Sequence, residues 1–553
     1  MILLELFLFL LSIVFLSVSI AGYGSFLSKK IQSNFFLDIF LGFIIISLII
    51  TFYHFFFKVN LIINLLIFIF GLIFFLKKKN FSSIFSVVKK SSILNLIIII
   101  LLIPLFISQK YHEDFGYYHL PYALAFLEEK IVFGFANIDL TFVYNSIWLN
   151  IYSFFFLQDK NFNFLTLPSF LLFLSFTMFS IDKILKKKSI QISDYYLAVV
   201  LFYFLLKFTR ISEFGVDLPA NIFSILGIFF FIKFFEAAND FEKKSSFYFN
   251  FVFSIFAILV KLSTIPIIIL PIYLYFSNIK QLKFFIFKLN FLIVYLLFIV
   301  FLIQQFIYTG CFLFPTNLTC INVSWFNPDH INLSKKIELT NKSYSVARDI
   351  FSPEEYLKNF TWFYFWIKRN FIEIMEHLLT MLIPLLIFFF VLRKKRTNFL
   401  KFSQKNNLFL FCIFSLFFWL NYSPVVRFAI PTFVTLIFLI FSVLFFSRKF
   451  SKKLFISFTL IFLIFNFSKN FLRIINSDEI FLGIQKIENK FLVNKINSNR
   501  FANIYYPDLK KNEKNGWQGR LCWNIPFICT YNKLDVMKKN GYLIINKLKI
   551  KND

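Results

Sequence analysis

Acids are scarce in this chain, and two of them stand side by side. Glu113 and Asp114 lie in His112-Glu113-Asp114-Phe115-Gly116-Tyr117-Tyr118-His119-Leu120-Pro121, directly after an apolar run from Ile93 to Ser108. A carboxylate at the mouth of a membrane helix can take the proton of an acceptor hydroxyl as a general base. A carboxylate pair can also hold a divalent cation, Mg or Mn, against a phosphate, or repel internally and raise one pKa. Asp114 and Glu113 are therefore the candidate catalytic residues and a candidate metal pair. Tyr118 and His119 share their apolar loop and are candidate substrate ligands, as is Asn145 in Tyr144-Asn145-Ser146-Ile147-Trp148.

Three more ionisable residues stand at the ends of apolar runs. Asp217 precedes one such run, where it can equally serve as a helix N-cap. Lys261 lies in Val260-Lys261-Leu262-Ser263-Thr264, and Arg427 in Ser423-Pro424-Val425-Val426-Arg427-Phe428. Charges this close to a bilayer face a cavity or a partner, or snorkel to the headgroups. Two cations beside two acids suit an anionic lipid-phosphate substrate.

These residues depend on the membrane helices that would hold them. Of 553 residues, 59% are hydrophobic and 16% charged. Repeated apolar runs near 20 residues predict spans, and backbone satisfaction in lipid makes those spans helical. Fourteen are predicted, at 2–21, 35–57, 61–76, 92–109, 164–182, 195–209, 219–235, 247–260, 264–277, 290–307, 373–392, 408–422, 428–447 and 454–467. The fold class is an all-α polytopic membrane protein with about 12–14 spans. The segments Tyr122–Glu129 and Ser146–Leu157 are too short to span and are predicted as interfacial helices. The domains expected are N-terminal helices at 1–91, a core at 92–467 with outer loops 110–163 and 308–372, and a C-terminal domain at 468–553.

The formal net charge of +29 is not read as a nucleic-acid signal, because the basic residues cluster between apolar runs. Alternate connections carry 27 Lys and Arg against 8 in the short connections of the other side. By the positive-inside rule this predicts a bacterial inner membrane protein whose N-terminus, acidic loop and C-terminal domain are extracytoplasmic. Cys311 and Cys320 then share one outer loop, and Cys522 and Cys529 share the tail. Two close pairs in an oxidising compartment predict two disulfides. The tail is expected to form a small α+β or loop-rich cap with a strand at Tyr542–Asn546.

An acid pair at a helix end, followed by an interfacial helix, resembles the GT-C superfamily of integral-membrane glycosyltransferases. The acidic motif, Gly134-Phe135-Ala136-Asn137, Tyr144-Asn145-Ser146-Ile147-Trp148 and Cys522-Trp523-Asn524-Ile525-Pro526-Phe527-Ile528-Cys529-Thr530 also resemble a group of bacterial polytopic membrane proteins. The first resemblance implies a polyprenyl-phosphate-linked sugar donor and a cell-envelope glycan or lipid acceptor. Asp114 would be the general base, Glu113 or Asp217 would assist or hold a metal, and Arg427 and Lys261 would stabilise the departing lipid phosphate. Three apolar runs precede the acid-bearing one here, whereas in GT-C enzymes the acid loop follows the first helix. Two other readings predict different things. A polysaccharide polymerase or ligase would work through Arg348, Lys368 and Arg369 in 308–372. A transporter or flippase would carry a polar path across the bilayer.

Overall fold

The computed structural model describes residues 2–28, 34–77, 81–108, 114–155, 165–187, 189–211, 215–392, 405–446, 450–476, 493–499, 502–507, 522 and 525–546. The N-terminal half contains α1 (Ile2–Ser28), α2 (Phe35–His54), α3 (Leu61–Lys77), α4 (Phe81–Ile107), α5 (Leu120–Glu128), α6 (Ile147–Tyr152), α7 (Leu167–Lys186), α8 (Ile192–Lys207), α9 (Asp217–Glu236) and α10 (Asp240–Val260). There follow α11 (Ile269–Ser277), α12 (Ile279–Leu282), α13 (Leu289–Thr309), α14 (Asp329–Asn341), α15 (Pro353–Leu357), α16 (Thr361–Val391), α17 (Lys405–Tyr422), α18 (Ile430–Phe446) and α19 (Lys452–Asn476). The strands are β1 (Val493–Asn499), β2 (Ala502–Pro507), β3 (Asp535–Lys539) and β4 (Tyr542–Asn546), paired as two antiparallel hairpins, β1–β2 and β3–β4.

Among the described residues, each apolar run read from the sequence is helical over most of its length. Eight of the described helices are long and apolar enough to cross a membrane, and four more are apolar but shorter. The sequence count of fourteen treats every run alike. Two runs fall short of either class: α8 has 16 residues, and α17 opens with Lys405-Asn406-Asn407 and ends with Asn421-Tyr422.

Burial sorts the helices into a centre and a periphery. In α7 and α9, 89% of the apolar window is buried, whereas in α19 the figure is 28%. The outer faces of α3, α13, α16 and α17 carry exposed Phe, Leu and Ile, which suits a lipid surroundings. At the N-terminus α1 packs backbone-to-backbone on its neighbours. A Cβ on Gly22 would lie 1.9 Å from the Gly71 carbonyl oxygen of α3, the close approach that small residues permit between membrane helices.

Two short helices correct the sequence reading. In α5, Leu120 through Phe126 are all buried, and every residue of α6 is buried, including Trp148. Neither lies at an interface with one face free. The reason is local: Leu-Pro-Tyr-Ala-Leu-Ala-Phe offers no polar face before Glu128. The polar groups that α6 and its neighbours do carry are spent internally. The Tyr122 hydroxyl lies 2.9 Å from Asn145 Oδ1 and 2.8 Å from Asn150 Oδ1, its one proton available to either. The amides of Asn145 and Asn150 both donate to Gln304 Oε1 at 3.0 Å.

Disulfides join Cys311 to Cys320 and Cys522 to Cys529, and Cys412 is buried as a free thiol. The C-terminal hairpin β3–β4 docks on the segment after α5. The amide of Phe133 donates to the Leu543 carbonyl, and that of Ile545 to the Phe133 carbonyl, at 3.0 and 2.9 Å.

Candidate functional site

Four charged side chains converge from four separate chain segments. Asp114 opens the π-helical turn Phe115–His119 that leads into α5, a distortion frequent at functional sites. Asp217 is the first residue of α9. Lys261 sits between α10 and the 3-10 turn Leu262–Ile268 that runs into α11, and Arg427 lies in the 3-10 turn Val426–Phe428 between α17 and α18. Asp217 Oδ2 is 2.9 Å from Arg427 Nε, its Oδ1 pairs with Lys261 Nζ, and Arg427 Nη2 faces Asp114 Oδ2 at 3.9 Å. The Lys261 ammonium also rests 3.3 Å from the centroid of the Phe428 ring, a cation–π contact.

The two acids differ in setting. The Asp217 side chain is 6% exposed, that of Asp114 31%. Asp217 makes no side-chain cap; Val216 holds the N-cap position of α9. Its carboxylate is committed to the two cations, while Asp114 retains access for a reacting group. Burial pushes the Lys261 ammonium down to about 8, against the pull of Asp217. Burial also works against the Arg427 guanidinium, but Asp217 and Asp114 outweigh it and hold its pKa above the ordinary value. The Tyr118 phenol is pushed up by burial and by the nearby Asp114 and Asp217.

The turn bearing Arg427 is clamped by aromatic donors. Trp366 of α16 donates its indole N–H to the Pro424 carbonyl, and Trp419 of α17 donates to that of Val425, both at 2.7 Å. Asn221 of α9 donates to the Arg427 carbonyl at 3.4 Å. On the other side His119 is buried, and its ring lies against Gly215. A Cβ on Gly215 would come within 2.3 Å of His119 Cε1, at a φ of +43° that favours glycine.

The sequence candidates therefore divide. Asp114, Asp217, Lys261 and Arg427 are gathered, with Tyr118 inside their electrostatic reach and His119 next to it in the π-turn. Asn145 is placed in the buried Tyr122–Gln304 network instead and is only 3% exposed. Glu113 lies outside the described residues. Among the described residues no group of three or more His, Cys, Asp or Glu side chains could hold a metal. Asp114 and Asp217 both face Arg427, and Asp217 also faces Lys261.

Other polar groups escaped the sequence reading. Tyr117 donates to Asp139 Oδ2 at 3.1 Å beside Asp114. Lys207 pairs with Glu376 at 2.7 Å, and the Tyr203 hydroxyl bonds His377 Nδ1 at 2.7 Å. On α19, Asn466 donates to the Leu205 carbonyl and Arg473 to the Thr209 carbonyl, both closing α19 on the end of α8. The spacing of Asn466, Asn470 and Arg473, which puts all three on one helix face, is the signal that would have found them.

A groove adjoins the charged cluster. Its volume is about 30 Å³, it is partly open, and it is lined by Phe428 and Trp419 together with the hydroxyl residues Ser224, Ser263, Ser415 and Thr432. Phe428 belongs to both places, with Lys261 on its ring and the groove beside it.

Fold and site together define a helical protein with several helices of membrane-spanning length and a charged cluster at their ends. The chain belongs to a family described as a domain of unknown function (DUF8201), whose model matches residues 1–434. No curated protein and no solved structure matches it.

Proposed function

We propose that this protein is a membrane glycosyltransferase of GT-C type, moving a sugar from a polyprenyl-phosphate donor to a cell-envelope glycan or lipid on the extracytoplasmic side. The observation that carries the reading is the half-open Asp114 carboxylate 3.9 Å from Arg427, next to the buried Asp217–Lys261 pair. Asp114 accepts the proton of the acceptor hydroxyl as that oxygen bonds to the sugar's anomeric carbon. The bond from that carbon to the phosphate oxygen breaks, and the lipid phosphate leaves with the electron pair. Arg427, with Lys261, supplies positive charge near the leaving group. The Lys and Arg asymmetry and the two disulfides support an extracytoplasmic site.

The polymerase or ligase reading draws no comparable support. Arg348 pairs only with its neighbour Asp349, with both side chains more than two-thirds exposed, and Arg369 donates to Ser345. The test is transfer of radiolabelled sugar from a lipid-linked donor pool in membranes containing the wild type or Asp114→Asn. Loss of transfer in a normally folded Asp114→Asn is the expected result; full retained activity overturns the reading.

A further inference from the structure

Four basic side chains gather where α8 ends against α19. Lys207 closes α8, and Arg210 follows it in the connection that leads to Asp217. Lys469 and Arg473 stand one helical turn apart on α19. Arg473 donates to the Thr209 carbonyl at 2.6 Å, which brings the two segments together. Lys469 lies within electrostatic reach of Lys207, Arg210 and Arg473. This is the end of the bundle whose short connections are poor in Lys and Arg, so the grouping runs against the general charge pattern.

The acids nearby do not balance it. Glu376 of α16 pairs with Lys207 at 2.7 Å, and Glu373 faces His377 at 3.9 Å. Arg473 is held by Thr209 and by Asn470 Oδ1. Lys469 is exposed and, among the described residues, has neither an ion pair nor a hydrogen bond; its ammonium lies 5.9 Å from the centroid of the Phe465 ring. Like charges this close repel, and an anion among them relieves the repulsion. The surface that leads from these cations into the membrane-spanning length is apolar. Along α16 from Glu376, Leu379, Ile383 and Ile387 are exposed at successive turns; along α19 from Lys469, Phe465, Ile464 and Ile461 are exposed. A free anion would use the cations alone, whereas a lipid would use both surfaces.

We infer that Lys207, Arg210, Lys469 and Arg473 bind the phosphate headgroup of an anionic phospholipid whose acyl chains lie along the apolar faces of α16 and α19. An ionised phosphodiester only accepts hydrogen bonds, and ammonium and guanidinium groups only donate them. Lys469 supplies the ammonium that no protein group engages, and the other three cations add to the positive field around it.

The experiment measures lipid binding. Full-length protein in dodecyl maltoside is followed by native mass spectrometry and thermal unfolding with added dioleoylphosphatidylglycerol, dioleoylphosphatidylcholine or inorganic phosphate. Phosphatidylglycerol should stay bound and raise the melting temperature. Phosphatidylcholine, with the same chains, and inorganic phosphate should do neither at equal concentration. Lys469→Gln should weaken phosphatidylglycerol about fivefold or more, the loss of one charge-assisted contact. Without lipid this variant should melt with the wild type, because Lys469 is exposed. Lys280→Gln, at an exposed lysine between α11 and α13, should bind within about twofold of wild type. A matching response to phosphatidylcholine or to inorganic phosphate, unchanged affinity in Lys469→Gln, or an equal loss in Lys280→Gln overturns the inference. The binding does not rest on the transferase reading, so transfer lost or kept in Asp114→Asn leaves this result where it stands.

Discussion

Asp217 is held between two cations, 2.9 Å from Arg427 on one oxygen and paired with Lys261 on the other, with its side chain 6% exposed. Asp114 faces the other side of the same guanidinium, at 3.9 Å, and is five times more exposed. The two acids thus do different work: Asp217 fixes the cations, and the cations fix Asp114.

That difference predicts opposite profiles for two similar substitutions. Asp217→Asn removes a buried carboxylate from between two part-buried cations and should cost about 1.5–3 kcal/mol. Asp114→Asn weakens a long, part-exposed ion pair and should cost less than Asp217→Asn, while removing the base. Thermal unfolding in detergent, read beside sugar transfer, separates them. Equal destabilisation by both would refute the division of roles.

The pH response of Lys261 should split activity from stability. Its ammonium titrates near 8 in the folded protein because burial opposes the charge, and near 10.4 in the unfolded chain. Between those values the unfolded chain binds the extra proton, so this group's contribution to stability rises with pH across the window. The charge that pairs with Asp217 is meanwhile lost, so transfer should fall above pH 8. Lys261→Arg, which stays protonated, should move that alkaline limb upward. An unmoved limb would show that another group sets it.

Trp366 should act on chemistry through Arg427. It touches no candidate reacting group, yet its indole N–H holds the Pro424 carbonyl three residues before Arg427. Trp366→Phe removes one hydrogen bond, about 1 kcal/mol, and loosens the aim of the guanidinium at Asp114. The expected signature is a fall in kcat with KM little changed. A stability loss with kcat intact would mean a purely structural role.

What the sequence made legible was what hydropathy and charge report. The helical class, the acids and cations at run ends, the cysteine pairs and the strand Tyr542–Asn546 all reappear in the structure. One set of misses has a single cause: polar residues were taken as the end of a helix. The run predicted at 454–467 continues as α19 to Asn476, and that at 373–392 begins at Thr361. The extensions carry Asn470 and Arg473, which close α19 on the end of α8, and Trp366, which holds the turn bearing Arg427. In α5 and α6 the error ran the other way, because a short apolar segment says nothing of what will cover it. The four-residue convergence itself depends on helix packing between segments up to 313 positions apart, from Asp114 to Arg427, and no local pattern encodes it.

Gly134 ties the C-terminal hairpin to the site. Its φ of +71° favours glycine, and a Cβ there would lie 2.1 Å from the Ile545 carbonyl oxygen and 2.7 Å from Trp325 Cβ. Ile545 is the strand β4 residue whose amide bonds Phe133 and whose carbonyl accepts from Asn137 at 2.8 Å. Alanine at 134 must therefore push β3–β4 away and break these bonds together. The hairpin's approach continues through Thr530, which donates to the Ile138 carbonyl at 2.7 Å. The next residue, Asp139, receives the Tyr117 hydroxyl beside Asp114. Gly134→Ala should thus expose the C-terminal segment to limited proteolysis while the helical bundle keeps its far-UV signal, and should lower transfer. Unchanged protection of residues 525–546 would mean that the hairpin is held by contacts other than these.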